Sequence, residues 1–207
     1  SEEYPEVELR KALLILDALK EKGIDRVDVI AHSEGAINVL IAAMVNSGRF
    51  RNIVLDKPAG LIGKDTKRAL TGRFIRMLFE ETIIRPPLFT DPASSVSIGE
   101  RIVLYTLENP ASVTEEMDAL TNFDIADLMT KLVEQGVMLS VISGVDDPLF
   151  PVRKQIGYMR EAGVPPHEGY YSVVGGHNEL SIHADKHAAL ALSALNSLQR
   201  KRELSSR

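Results

Sequence analysis

The chain has 207 residues, 44% of them hydrophobic, which is enough apolar material for one globular domain with a real core. Its 24 Lys and Arg against 29 Asp and Glu give a formal net charge of -5 with the signs interspersed, so no nucleic-acid partner is expected. The absence of cysteine excludes disulfides and thiolate metal sites, and the longest apolar run, AINVLIAAMV, is shorter than the roughly 18 residues of a membrane span.

The start, SEEYPEVE, is acidic and has no apolar stretch of the kind a secretory signal needs, which points to a cytoplasmic location. From Val7 to Lys22, Leu9, Ala12, Leu13, Leu16 and Leu19 recur at helical spacing, and Gly23 is placed to end the helix. RVDVIA then reads as a buried strand, and EGAINVLIAAMVN as a helix apolar on nearly all sides that ends near Ser47 and Gly48. A second strand, Ile53 to Leu55, is stopped by Lys57, Pro58 and Gly60. Residues 61–135 read as several helices, with Ser112 and Glu115 spaced as a capping box. Strand patterning returns in VMLSVIS, followed by the loop GVDDPLFP, a helix over 151–162, the strand GYYSVV, the loop GGHNEL and a last helix from His183 to Leu198. Strands alternating with helices predict an α/β fold, a mostly parallel sheet with helices on both faces. Residues 1–60 and 136–207 would form the core and 61–135 a helical insert.

In such a sheet, reactive groups collect in the loops beyond the carboxyl ends of the strands, where helix N-termini supply N–H donors. Loops placed in this way carry a Ser, an Asp and a His. In AHSEG, small residues two before and two after Ser33 permit the sharp turn that exposes a hydroxyl, with Ala31 standing where glycine is usual. SGVDDP offers Asp146 and Asp147, and GGHNE offers His177. This order and placement resemble the α/β-hydrolase superfamily, and the resemblance covers nearly the whole chain: the opening helix, VDVIAHSEGA, IVLDKPAGL, a helical cap, ISGVDDPLFP and GGHNEL. It implies Ser33 as nucleophile and His177 as proton carrier. The family's Gly-x-x-Asp pattern, matched by Gly144-Val145-Asp146-Asp147, implies Asp147 as the acid. Asp146 is then a solvated or loop-capping neighbour, and the alternative acids are Asp146 itself and Asp56, beyond an earlier strand. The Glu34 N–H would be one oxyanion donor. His32, beside it, is placed with the oxyanion and substrate-binding residues, although its ring, pointing elsewhere in the turn, reads first as structural. For Ser33 itself the plainer alternative is a helix N-cap.

The family's second oxyanion donor and the strands that precede its opening helix are not in the sequence. A preceding segment or a homo-oligomer is therefore expected to complete the sheet, since a bare edge invites aggregation. The resemblance implies a cofactor-independent serine hydrolase that cleaves a small to medium apolar carboxylic ester through an acyl-enzyme, with no metal. Amide, peptide or C–C bond hydrolysis would use the same triad, and a non-catalytic domain binding a small apolar ligand is the reading from another class. Phe74, Met77, Leu78, Phe79, Pro86, Pro87, Leu88 and Phe89 would pack the cap or wall the substrate. His183 and His187 have the i, i+4 spacing of a metal pair but no third ligand accompanies them.

Overall fold

The computed structural model describes residues 4–80, 104–163, 169–178 and 184–205. Among them, strands β1 (Val27–His32), β2 (Phe50–Asp56), β3 (Met138–Gly144) and β4 (Tyr170–Val173) form a four-stranded sheet in the order β1-β2-β3-β4, parallel at every pairing. The helices are α1 (Glu6–Glu21), α2 (Gly35–Val45), α3 (Lys67–Phe79), α4 (Pro110–Asn122), α5 (Ala126–Glu134), α6 (Val152–Glu161) and α7 (Ala184–Ser205). A mostly parallel sheet with helices on both faces is what the alternation of patterns predicts.

Strand alternation sorts the core into two layers. Ile53 and Leu55 of β2, with Leu139 and Val141 of β3, join the layer built by α2 and α5. Val54 and Ile142 point the other way, onto Ala191, Ala194 and Leu198 of α7. α2 is apolar all round because it lies between α1, α5 and the sheet, and every residue from Ala36 to Ala43 is buried. Burial of Ile37, Leu40 and Ile41 is worth about 1.5–3 kcal/mol per side chain.

The structure departs from the sequence reading in three local ways. The capping box at Ser112 and Glu115 does not form, because α4 begins earlier, with Asn109 at its N-cap and Pro110 in its first turn. β1, read as a buried strand, is an outer strand of the described sheet and is half-exposed along most of its length. α7 runs past Leu198 to Ser205, where Arg202 reaches back to the carbonyls of Arg51 at 2.5 Å and Gly136 at 2.8 Å. Among the described residues no helix is long and apolar enough to cross a membrane.

Candidate functional site

β1 runs directly into the turn at Ser33, and α2 starts two residues later. Ser33 has φ 55°, left-handed backbone that costs a residue with a Cβ roughly 1–2 kcal/mol. Three backbone hydrogen bonds hold it there. Its N–H donates to Asp56 O at 3.0 Å, and its own carbonyl accepts from Ala36 and Ala59, each at 3.1 Å. Ala31 is buried in the core layer beneath, which explains a small residue at that position.

The loop after β4 brings His177 over this turn, with Nε2 2.9 Å from Ser33 Oγ. On its other side, His177 Nδ1 lies 2.8 Å from Asp147 Oδ2 in the loop after β3. Asp147 Oδ1 accepts from the N–H groups of Leu149 at 2.8 Å and Phe150 at 3.0 Å. Asp147 and His177 are both buried, which shields the contact between them from water. Burial pushes the Asp147 carboxyl up, but the hydrogen bond and charge of His177 and the two N–H donors outweigh it and hold the group below its ordinary range. Phe150 meets the His177 ring edge-on at 5.3 Å, and Met77 of α3 places its sulfur 3.9 Å from Asn178 Nδ2.

Asp146 is exposed, and its N–H donates to Gly175 O at 3.2 Å, tying the acid loop to the histidine loop. The two loops approach so closely that a Cβ added at Gly144 would lie 2.7 Å from Gly175 O, 3.1 Å from Lys57 Cε and 3.2 Å from Asp147 Cβ.

His32 turns toward the histidine loop. Its ring lies 4.9 Å from that of His177, and its Nε2 is 3.0 Å from the His177 carbonyl oxygen. A carbonyl only accepts, so that nitrogen carries the proton. Burial, then the neighbouring His177 ring, pushes the His32 pKa down to about 4, so the ring is neutral at ordinary pH. Glu34 is half-buried, with its N–H at the N-terminal end of α2 and its carboxylate paired with Lys11. Lys11 also bonds Glu116 at 2.8 Å and approaches Glu8 to 3.9 Å.

Asp56, the other alternative acid, is wholly buried and meets a different imidazole: its Oδ1 is 2.9 Å from His187 Nε2. The structure thus brings Ser33, His177 and Asp147 together and leaves Asp56 apart from His177. His183 and residues 86–89 lie outside the described residues. Among those described, no group of three or more His, Asp or Glu is arranged to hold a metal. The buried cluster of Asp56, Lys57 and His187 was not anticipated from sequence, yet its signal is there. Asp56 shares strand parity with core residue Val54, and His187 heads the α7 stripe that continues through Ala191, Ala194 and Leu198.

The sequence matches no protein-family model and no curated protein. Solved structures do resemble the fold. A carboxylesterase structure from the ammonia-oxidizing thaumarchaeon Nitrososphaera gargenis superposes with a TM-score of 0.65 at 16% identity, over 94% of this chain and 73% of that one. The enol-lactonase from Burkholderia xenovorans LB400 gives 0.61 at 15% identity, over 95% and 75% of the two chains. A bromoperoxidase from Bacillus anthracis gives 0.64 at 16% identity, over 95% and 77%. With its parallel sheet, its sharp strand-to-helix turn at Ser33 and these likenesses, the chain has the α/β-hydrolase fold.

Proposed function

We propose that the chain is a serine hydrolase that cleaves small to medium apolar carboxylic esters. The observation that carries this reading is the unbroken row from Asp147 through His177 to Ser33, ending on a hydroxyl held by left-handed backbone. Ser33 Oγ attacks the ester carbonyl while His177 Nε2 takes its proton. The same imidazole then gives that proton to the departing alcohol, leaving an acyl group on Ser33, and water enters by the reverse sequence. Asp147, ionised and fixed by two N–H donors, holds the proton on Nδ1 and stabilises the imidazolium that forms. The Glu34 N–H, at the positive end of α2, is one donor to the developing oxyanion, and a single such donor is worth about 10²- to 10³-fold in rate.

The preference for an apolar group is read from what surrounds His177: the Phe150 ring on one side and, by way of Asn178, buried Met77 of α3. The helical stretch between β2 and β3 supplies α3 and serves as the cap. Incubation with a fluorophosphonate should place one adduct on Ser33, located by mass spectrometry of the digested protein. Hydrolysis of p-nitrophenyl butyrate should fall about 10⁴-fold or more in Ser33→Ala and in His177→Ala. Intact protein that neither takes the probe nor turns over any short-chain ester would refute the reading.

A further inference from the structure

Behind the row of Ser33, His177 and Asp147, four more titratable groups are packed on the α7 side of the sheet. Strand alternation puts His32 and Asp56 there side by side, since they are register partners at the ends of β1 and β2. Asp56 holds Ser33 through its main chain, by accepting the Ser33 N–H at 3.0 Å. Its side chain is gripped from behind, with Oδ1 2.9 Å from His187 Nε2 and 3.5 Å from Lys57 Nζ. Lys57 is wholly buried at φ 47°, and its N–H donates to Ile142 O at 2.7 Å.

The other carboxylate oxygen, Asp56 Oδ2, is buried and has no hydrogen-bond partner among the described residues. Such an oxygen is costly to keep. It lies 3.9 Å from His32 Nε2, the nitrogen that faces the His177 carbonyl at 3.0 Å. Were the His32 proton on Nδ1 instead, the Nε2 lone pair would face that carbonyl oxygen and this carboxylate at once, and the hold on the histidine loop would be lost.

We propose that Asp56 is a positioning residue. Its buried carboxylate, clamped by His187 and Lys57, keeps the His32 proton on Nε2, and His32 then pins the His177 main chain so that the imidazole stays on Ser33. The consequence for rate rests on the serine hydrolase reading; the state of the His32 ring does not.

Two measurements test it. In ¹⁵N-labelled protein at pH 7, the imidazole nitrogen shifts should show His32 protonated at Nε2 alone, and an Nδ1–H form in the wild type overturns the proposal whether or not esters are cleaved. In Asp56→Asn the two tautomers should mix. There kcat for p-nitrophenyl butyrate should fall about 10- to 100-fold while KM changes less than about twofold, as expected for a misplaced catalytic group. A folded Asp56→Asn protein with unchanged tautomer and kcat also overturns it. Should that variant fail to fold, His32→Leu and His32→Gln replace it. Leu should lose about tenfold in kcat, and Gln, which can still donate to the carbonyl, should regain most of that; equal activity in the pair overturns the proposal. A wild type inert to esters and fluorophosphonate, yet carrying the His32 proton on Nε2 in an Asp56-dependent way, refutes the hydrolase reading and supports this one.

Discussion

Ser33 has a positive φ, and its hydroxyl meets His177 Nε2 at 2.9 Å, while the N-cap of α2 is Glu34. The backbone conformation is therefore a cost that only the site repays. Glycine adopts that conformation freely, so Ser33→Gly should be more stable than wild type by about 1 kcal/mol in urea denaturation while all turnover is lost. Lower stability would mean that the turn is not strained. His32 can be tested at the same scale. Its pKa is depressed to about 4 from an unfolded 6.5, so the folded form binds fewer protons between those values. Its contribution to stability is present above pH 6.5 and is lost as pH falls through 4; an NMR titration should show a ring still neutral at pH 5. Ser33, Asp147 and His177 were legible because each stands in a loop just past a strand pattern. The role of His32 was not, because which carbonyl a ring faces depends on where another loop lands in space.

At the scale of elements, α1 falls where its apolar spacing places it, whereas α2, apolar on nearly all sides, was legible from the length of its run, and α6 and α7 from their places after loop patterns. Their ends are set by contacts the period does not contain. α7 continues because Arg202 finds carbonyls at the lower edge of the sheet, and α4 starts early because Pro110 is suited to a first turn. A β-branched run reads alike whether central or at an edge, so the edge position of β1 was legible only from the lack of strand patterns before it. α3 has a side-chain cap, Thr66 Oγ1 accepting from the Ala69 N–H at 3.2 Å. Thr66→Ala should cost about 1 kcal/mol by thermal unfolding. Since α3 carries Met77 to the histidine loop, KM should rise in that variant with kcat little changed. Leu40→Ala, within α2, should cost about 2–5 kcal/mol because the position is enclosed on every side.

Across the whole molecule, the alternation of strands and helices made the layered architecture legible, while charge burial was invisible to it. Glu8 closes the acidic stretch SEEYPEVE, yet it is wholly buried and neither carboxylate oxygen has a hydrogen-bond partner among the described residues. Burial first, and then the nearby Glu34, pushes its pKa from 4.5 up to about 8. Folding therefore favours the protonated form: the stabilising contribution is complete below pH 4.5 and is lost as pH rises through 8. Glu8→Gln should match wild type at pH 4 and exceed it at pH 9 by about 1–3 kcal/mol in thermal melts. Identical melting at both pH values would show that the carboxyl is ionised without penalty.

The crowding at Gly144 bears on how such a site can fail. The loops of Asp147 and His177 share a single clearance there, with backbone oxygen Gly175 O only 2.7 Å from where a methyl carbon would stand. Gly144→Ala should keep its circular dichroism spectrum yet lose fluorophosphonate labelling, because one loop must yield and the imidazole would then fall out of line with the acid or the alcohol. The tolerance of the machinery is set by a residue with no side chain of its own, and the smallest enlargement the chain can make is enough to disengage it.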